Sequence, residues 1–232
     1  EESLGYGGSR DCAILKFNSK GNQLIYCTYL GGNNNEQPHS MVVDSFMNLY
    51  VMGTSRSTDF PVTKNAYQKQ NNGDYDFFIT SFDSMGILRA STLFGGTGLD
   101  GVGADRSNRS VNEFPLIYNY AEEFRGEIIT DHSNVYVGGM IYSEDFVHQV
   151  DGFNRTRNKE QESNGVVFSL NSDLSSMRWS HIIGTDNPYF DAIYGIALGD
   201  SGDLFATGGT HSGSFPGDYG KNWINNKIGD VD

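Results

Sequence analysis

One phrase recurs along this 232-residue chain. It reads NLYVMGTSRSTDFP from Asn48 to Pro61, NVYVGGMIYSEDF from Asn134 to Phe146, and DLFATGGTHSGSFP from Asp203 to Pro216. A second set of matching segments falls between its copies: DCAILKF from Asp11, DFFITSF from Asp76 and NGVVFSL from Asn164. Their starts are 65 and 88 residues apart, and the final GDVD matches the GDYD that ends on Asp76, so a fourth unit would start at Asp232. Self-similarity on this scale dictates architecture before any single motif does, because each unit buries its face against its neighbours.

Within a unit, alternation and turn punctuation give four short strands. In the first unit the expected strands are Cys12–Phe17, Gln23–Leu30, Ser40–Asp44 and Asn48–Thr54. The turns between strands are NSKGN, DSFMN, DSMG and GDSGD, in which Gly or Asn can take positive φ. No stretch has a capped 3.6-residue apolar period, so very little helix is expected. Aromatic residues make up 13% of the chain and there are 29 Gly, which fits short strands and tight turns and argues against disorder. The expected fold is all-β: a β-propeller of four-stranded antiparallel blades, with a stacked solenoid as the alternative. Residues 1–232 read as one propeller segment with units starting near 11, 76 and 164, and an inserted loop at 97–126 accounts for the longer middle spacing.

DCAILKFNSKGNQLIYCTYLGG, followed by SMVVDSFMNLYVMGTSRSTDFPVTKNAYQ, resembles the SBBP β-propeller repeat family. Units of that family read approximately D-A-F-V-A-K-x-N-x-x-G, S-T-Y-L-G-G, I-A-V-D-x-x-G-N-x-Y-V-T-G and T-D-F-P. The resemblance spans nearly all of the chain and recurs three times. The second unit departs through its inserted loop, and the third has IIGT in place of LGG. The resemblance implies a secreted or outer-surface protein of the kind frequent in Bacteroidota, where such repeats occur in large type IX-secreted and gliding-associated proteins. It implies no reaction. Related propellers start the inner strand at the I-A-V-D phrase. In that phase the chain runs outer pair, two whole blades, inner pair, which is an incomplete ring.

The recurrent phrase is then a joint, where the chain leaves the second strand of a blade and crosses to the third. Phe60, Phe146 and Phe215 are expected to anchor that crossing by burial, and Pro61 and Pro216, lacking an N–H, end the ladder. A reaction performed at each copy would need one reactive group throughout, yet Asp59 and Asp145 are answered by Ser214.

Asp and Glu number 29 against 16 Lys and Arg, a net charge of −13, so nucleic acid is not an expected partner. No segment has the ~20 apolar residues of a membrane helix, so this segment is expected not to insert into a membrane. The opening EESLGYGGSRD is polar, and the chain reads as a mature or excised piece. Two cysteines are too few for a disulfide scaffold. Cys27 aligns with Ser91 and Ser180, and Cys12 with Phe77 and Gly165, which favours buried free thiols.

Motifs that suggest chemistry give little. GTGLDG, with Gly96, Gly98 and Gly101, satisfies G-x-G-x-x-G, but VGADRSNRS after it is no helix, so no cofactor is expected. Five scattered His have no metal-ligand spacing. Asp100 with Asp105, and Asp186 with Asp191, could offer oxygens to Ca²⁺ but lie in no D-x-D-x-D-G loop. No G-x-S-x-G elbow exists, so catalytic and metal residues are expected to be absent. Asn108 and Asn154 begin N-glycosylation sequons, and Ser84, in DSM, resembles the O-glycosylation motif of Bacteroidota. In the inserted loop, Phe114, Tyr118, Tyr120, Phe124 and Arg125 combine aromatic rings with a guanidinium, the makings of an interface anchor, or of a lid on their own blade. The expected function is a non-enzymatic interaction or display module whose partners are other protein chains or surface glycans. A glycan-processing propeller enzyme and an accessory part of a secretion or gliding complex are the alternatives.

Overall fold

The computed structural model describes residues 10–101, 126–147, 163–184 and 191–210. Phe114, Tyr118, Tyr120, Phe124, Arg125, Asn108, Asn154, Asp105, Asp186 and Phe215 lie outside the described residues. Twelve strands are described: β1 (Cys12–Phe17), β2 (Leu24–Leu30), β3 (Glu36–Val43), β4 (Leu49–Ser55), β5 (Asp76–Phe82), β6 (Leu88–Phe94), β7 (Glu127–Thr130), β8 (Asn134–Ile141), β9 (Asn164–Asn171), β10 (Met177–Ile183), β11 (Asp191–Leu198) and β12 (Leu204–Thr210). Among the described residues there is no helix.

The strands fall into a pair β1-β2, two four-stranded antiparallel sheets β3-β4-β5-β6 and β7-β8-β9-β10, and a final pair β11-β12. Two whole blades thus stand between an outer pair and an inner pair, the phase expected of an incomplete propeller. Local chemistry sets the hairpins. In five of them the turn's fourth residue donates its N–H to the carbonyl three positions back: Gly21 to Asn18, Met47 to Asp44, Gly86 to Asp83, Leu174 to Asn171 and Gly202 to Gly199. All five have positive φ, at 70°, 65°, 83°, 60° and 86°, a conformation that Gly takes without strain and Met and Leu do not.

One expected boundary shifts. β3 starts at Glu36, four residues before the expected Ser40. Pro38 and the polar residues beside it hid this start, and the pairing with β4 accommodates them through an irregularity between Pro38 and Ser40. A proline is tolerable here because β3 is the edge strand of its sheet.

The main core lies between the two blades and includes Phe77, Phe94, Phe146, Phe168 and Ile141. A second, with Cys12, Ile14, Leu30, Phe60, Phe78 and Leu93, joins the first pair to the first blade. Burying each Phe contributes about 1.5–3 kcal/mol. Phe60 and Phe146 are both buried, as their place in the joint predicts. Phe60 stacks on Phe78 with centroids 4.9 Å apart, and Phe146 meets Phe94 edge-on at 5.0 Å.

Both cysteines are free, but only Cys12 is buried; Cys27 is exposed, against expectation. The aligned serines are covered by the crossing segment that follows each blade's second strand: Thr63 donates its amide to the Ser91 carbonyl, and Ser180 Oγ donates to the Val147 carbonyl. Among the described residues no such crossing lies over β2. Leu30 and Phe94 are fully buried, whereas the aligned Ile183 is only partly so.

Candidate functional site

The recurrent polar constellation of this chain lies where one blade hands over to the next. Each outer strand (β2, β6, β10) ends in a large apolar residue and a glycine, Leu30-Gly31, Phe94-Gly95 and Ile183-Gly184. Four residues after the second glycine of GG comes an acid that opens the next inner segment: Glu36 after Gly32, and Asp100 after Gly96. Asp191 holds that place in the third junction, since it pairs with Thr210 as Glu36 pairs with Ser55.

These acids are held by the turn they close. Glu36 Oε2 accepts the Gly32 amide at 2.9 Å, and its Oε1 accepts the hydroxyls of Ser55 and Ser57, each at 2.6 Å. Asp100 Oδ2 accepts the Gly96 amide at 2.7 Å and the Ser143 hydroxyl at 2.5 Å, while its Oδ1 accepts the amides of Tyr142 and Ser143 at 3.2 Å. The Thr210 hydroxyl donates to Asp191 Oδ1. The joint supplies a second latch. Asp59 Oδ1 accepts the Asn33 amide at 2.7 Å, and Asp145 Oδ1 accepts the Thr97 amide at 2.7 Å and its hydroxyl at 2.9 Å. The aspartate of TDF and EDF thus ties its own blade to the turn before it.

Facing each junction acid is a second carboxyl or its amide counterpart, from the residue that opens the outer pair: Asp11, Asp76 or Asn164. Asp76 is fully buried. Its Oδ2 accepts from Gln68 Nε2 at 2.6 Å and from the Asn72 amide at 2.9 Å, but its Oδ1 has no hydrogen-bond partner, and neither oxygen of Asp11 has one. Burial, then the nearby charges of Asp100 and Asp145, push the Asp76 carboxyl up to about 7 against the lowering effect of its two donors. Burial chiefly, with Asp11 alongside, also raises Glu36, opposed by its hydroxyl and amide donors. The glycines are needed for this approach. A Cβ on Gly95 would sit 2.3 Å from Asp76 Oδ1, and one on Gly96 2.4 Å from Asp145 Oδ1. In the third junction a Cβ on Gly184 would meet Asn164 Nδ2 at 2.2 Å and Asp191 Oδ2 at 2.8 Å, so an amide faces the carboxylate there.

In the third junction the Asn164 amide stands where the other two place a carboxyl, Asp11 or Asp76. Among the described residues no three His, Cys, Asp or Glu side chains are grouped to hold a metal ion. Asp100 and Asp191, two of the four acids considered for Ca²⁺, occupy equivalent places in different junctions and are not brought together. The glycines of GTGLDG belong to the same turn: a Cβ on Gly98 would sit 3.0 Å from Ser143 Cα, Ser143 Oγ accepts the Gly98 amide at 2.7 Å, and the Gly101 amide donates to the Met140 carbonyl. Ser84 is exposed at a hairpin tip, and its carbonyl accepts Lys16 Nζ at 2.6 Å.

Residues 25–61, from the second strand of the first pair through the joint, match the SBBP β-propeller repeat family. That stretch is an SBBP-type repeat. No curated protein matches the chain. The matched SBBP segment contains Gly31, Gly32, Glu36, Ser55, Ser57 and Asp59, the parts of the first junction latch apart from Asp11. Sequence reasoning named the aligned phrases but missed the function of Asp11, Asp76 and Glu36. The available signal was the acid four residues beyond each GG.

Proposed function

We propose that this chain is a non-enzymatic interaction scaffold on the outside of the cell, either secreted or surface-held, whose partners are other protein chains or surface glycans. Adhesion, or a place in a type IX-secreted or gliding-associated surface protein, is the setting this reading favours. The observation that carries it is the saturation of Asp100, which accepts three backbone amides and a hydroxyl within the junction. A carboxylate so engaged stabilises a turn and is poorly placed to act on a substrate. The acids that a propeller hydrolase would converge in a pocket are here distributed one latch per junction.

The test incubates the chain with a panel of surface glycans and outer-surface protein extracts, scoring both retention and turnover. Saturable retention with no product is the expected result. Glycan cleavage that disappears in a variant of any exposed carboxylate would replace the scaffold reading with the hydrolase.

A further inference from the structure

Three acids surround the glycine pair in each of the first two junctions. In the first they are Asp11, Glu36 and Asp59, and in the second Asp76, Asp100 and Asp145. The third keeps Asp191, but Asn164 stands in the place of Asp11 and Asp76, and the sequence puts Ser214 in the place of Asp59 and Asp145. The first and third junctions match closely in geometry. A Cβ on Gly31 would sit 2.1 Å from Asp11 Oδ1 and 2.7 Å from Glu36 Oε2, and one on Gly184 2.2 Å from Asn164 Nδ2 and 2.8 Å from Asp191 Oδ2. A carboxyl oxygen in one junction thus takes the position of a neutral amide in another. In the second junction that position belongs to Asp76 Oδ1, 2.3 Å from a Cβ on Gly95. Asp76 is fully buried, and both of its donors, Gln68 and the Asn72 amide, are on Oδ2. The charges that act on it are those of Asp100, which opens the second blade, and Asp145, from that blade's joint. Arg56, beside the first blade's joint, is paired with Asp74 at the surface.

We propose that a proton on Asp76 locks the seam between the two whole blades, and that ionisation of Asp76 releases the glycine turn at 95–98. Protonated, Asp76 is as neutral as Asn164. Ionised, it sets a third negative charge against Asp100 and Asp145, the acids that accept the Gly96 and Thr97 amides. Like charges repel more strongly at a buried site than in water. The turn gives way first because those two acids and Ser143 Oγ hold its amides, outside the ladders of either sheet. Burial, followed by the charges of Asp100 and Asp145, raises the Asp76 carboxyl to about 7. A carboxyl raised in the folded chain keeps its proton in acid and loses it as pH climbs through that value. The seam is therefore locked on the acid side of neutral and released on the alkaline side.

Amide hydrogen exchange on the full chain, corrected for the intrinsic pH dependence of exchange, reads the lock at Gly96, Thr97 and Gly98. Protection of these amides should fall about tenfold or more between about pH 6 and pH 8. Its midpoint should follow the titration of the Asp76 carboxyl carbon in NMR spectra. Asp76→Asn should keep the same protection across that range. An Asp76 midpoint in the ordinary range near ~4, protection that does not change with pH, or an equal loss in Asp76→Asn would overturn the proposal. So would protection restored at pH 8 by added calcium ions, which would make the three acids a cation site.

Discussion

The ring of Phe94 stacks on that of Phe168, with centroids 4.2 Å apart and planes inclined by 22°. Phe94 ends the outermost strand of the first blade and Phe168 lies in the third strand of the second, so this stack joins the two blades. Phe146, from the joint, closes on Phe94 from the side. A double-mutant cycle with Phe94→Leu and Phe168→Leu should give a coupling of about 0.5–1.5 kcal/mol in equilibrium unfolding. Phe94→Ala alone should cost about 3–5 kcal/mol. Additive effects of the two leucine variants would mean that the rings merely fill space.

Asp76 makes a pH prediction. Its folded pKa is raised from 3.8 to about 7, so the stability it contributes is complete below its unfolded value and is lost as pH rises through about 7. Asp76→Asn installs the residue that the third junction already has in Asn164. The variant should match wild type near pH 4 and exceed it at pH 8 by roughly 2–4 kcal/mol, the upper end being the undiscounted shift. Denaturant unfolding at the two pH values reads this directly. Equal stability at pH 8 would show that Asp76 is ionised without cost.

Met47 holds φ 65° where equivalent hairpins place Gly21, Gly86 and Gly202. Its side chain is 57% exposed. Met47→Gly should therefore stabilise the chain by about 1 kcal/mol, since an L-residue pays roughly that much in this region. The melting temperature should rise by about 2–4 °C. A fall would show that the Met47 side chain contributes more to packing than its backbone strain costs.

The features legible in the sequence are those that neighbouring residues encode. The hairpins follow from Gly21, Gly86 and Gly202, the blade phase from the repeated strand phrases, and the joint from Phe60 and Phe146. What stayed hidden depends on residues far apart in the chain. Cys27 is exposed because, among the described residues, no segment crosses β2, which its own neighbours cannot report. The start of β3 was masked by Pro38, whose tolerance depends on being an edge strand. Asp76 and Asp100 are 24 positions apart, and only the register of two blades tells that their carboxyls face the same turn. The candidate interface residues of the inserted loop, Phe114 to Arg125, remain a reading of the sequence.

In the scaffold proposed above, the junction acids hold the fold and act on no substrate. Equilibrium unfolding of Asp100→Ala tests this, because the substitution strands the Gly96 and Ser143 amides, whereas the Tyr142 amide keeps the Leu99 carbonyl. A loss on the order of 3 kcal/mol is expected, with any partner retention of the surviving folded chain unchanged. Unaltered stability together with lost binding or turnover would contradict it and make Asp100 a functional group.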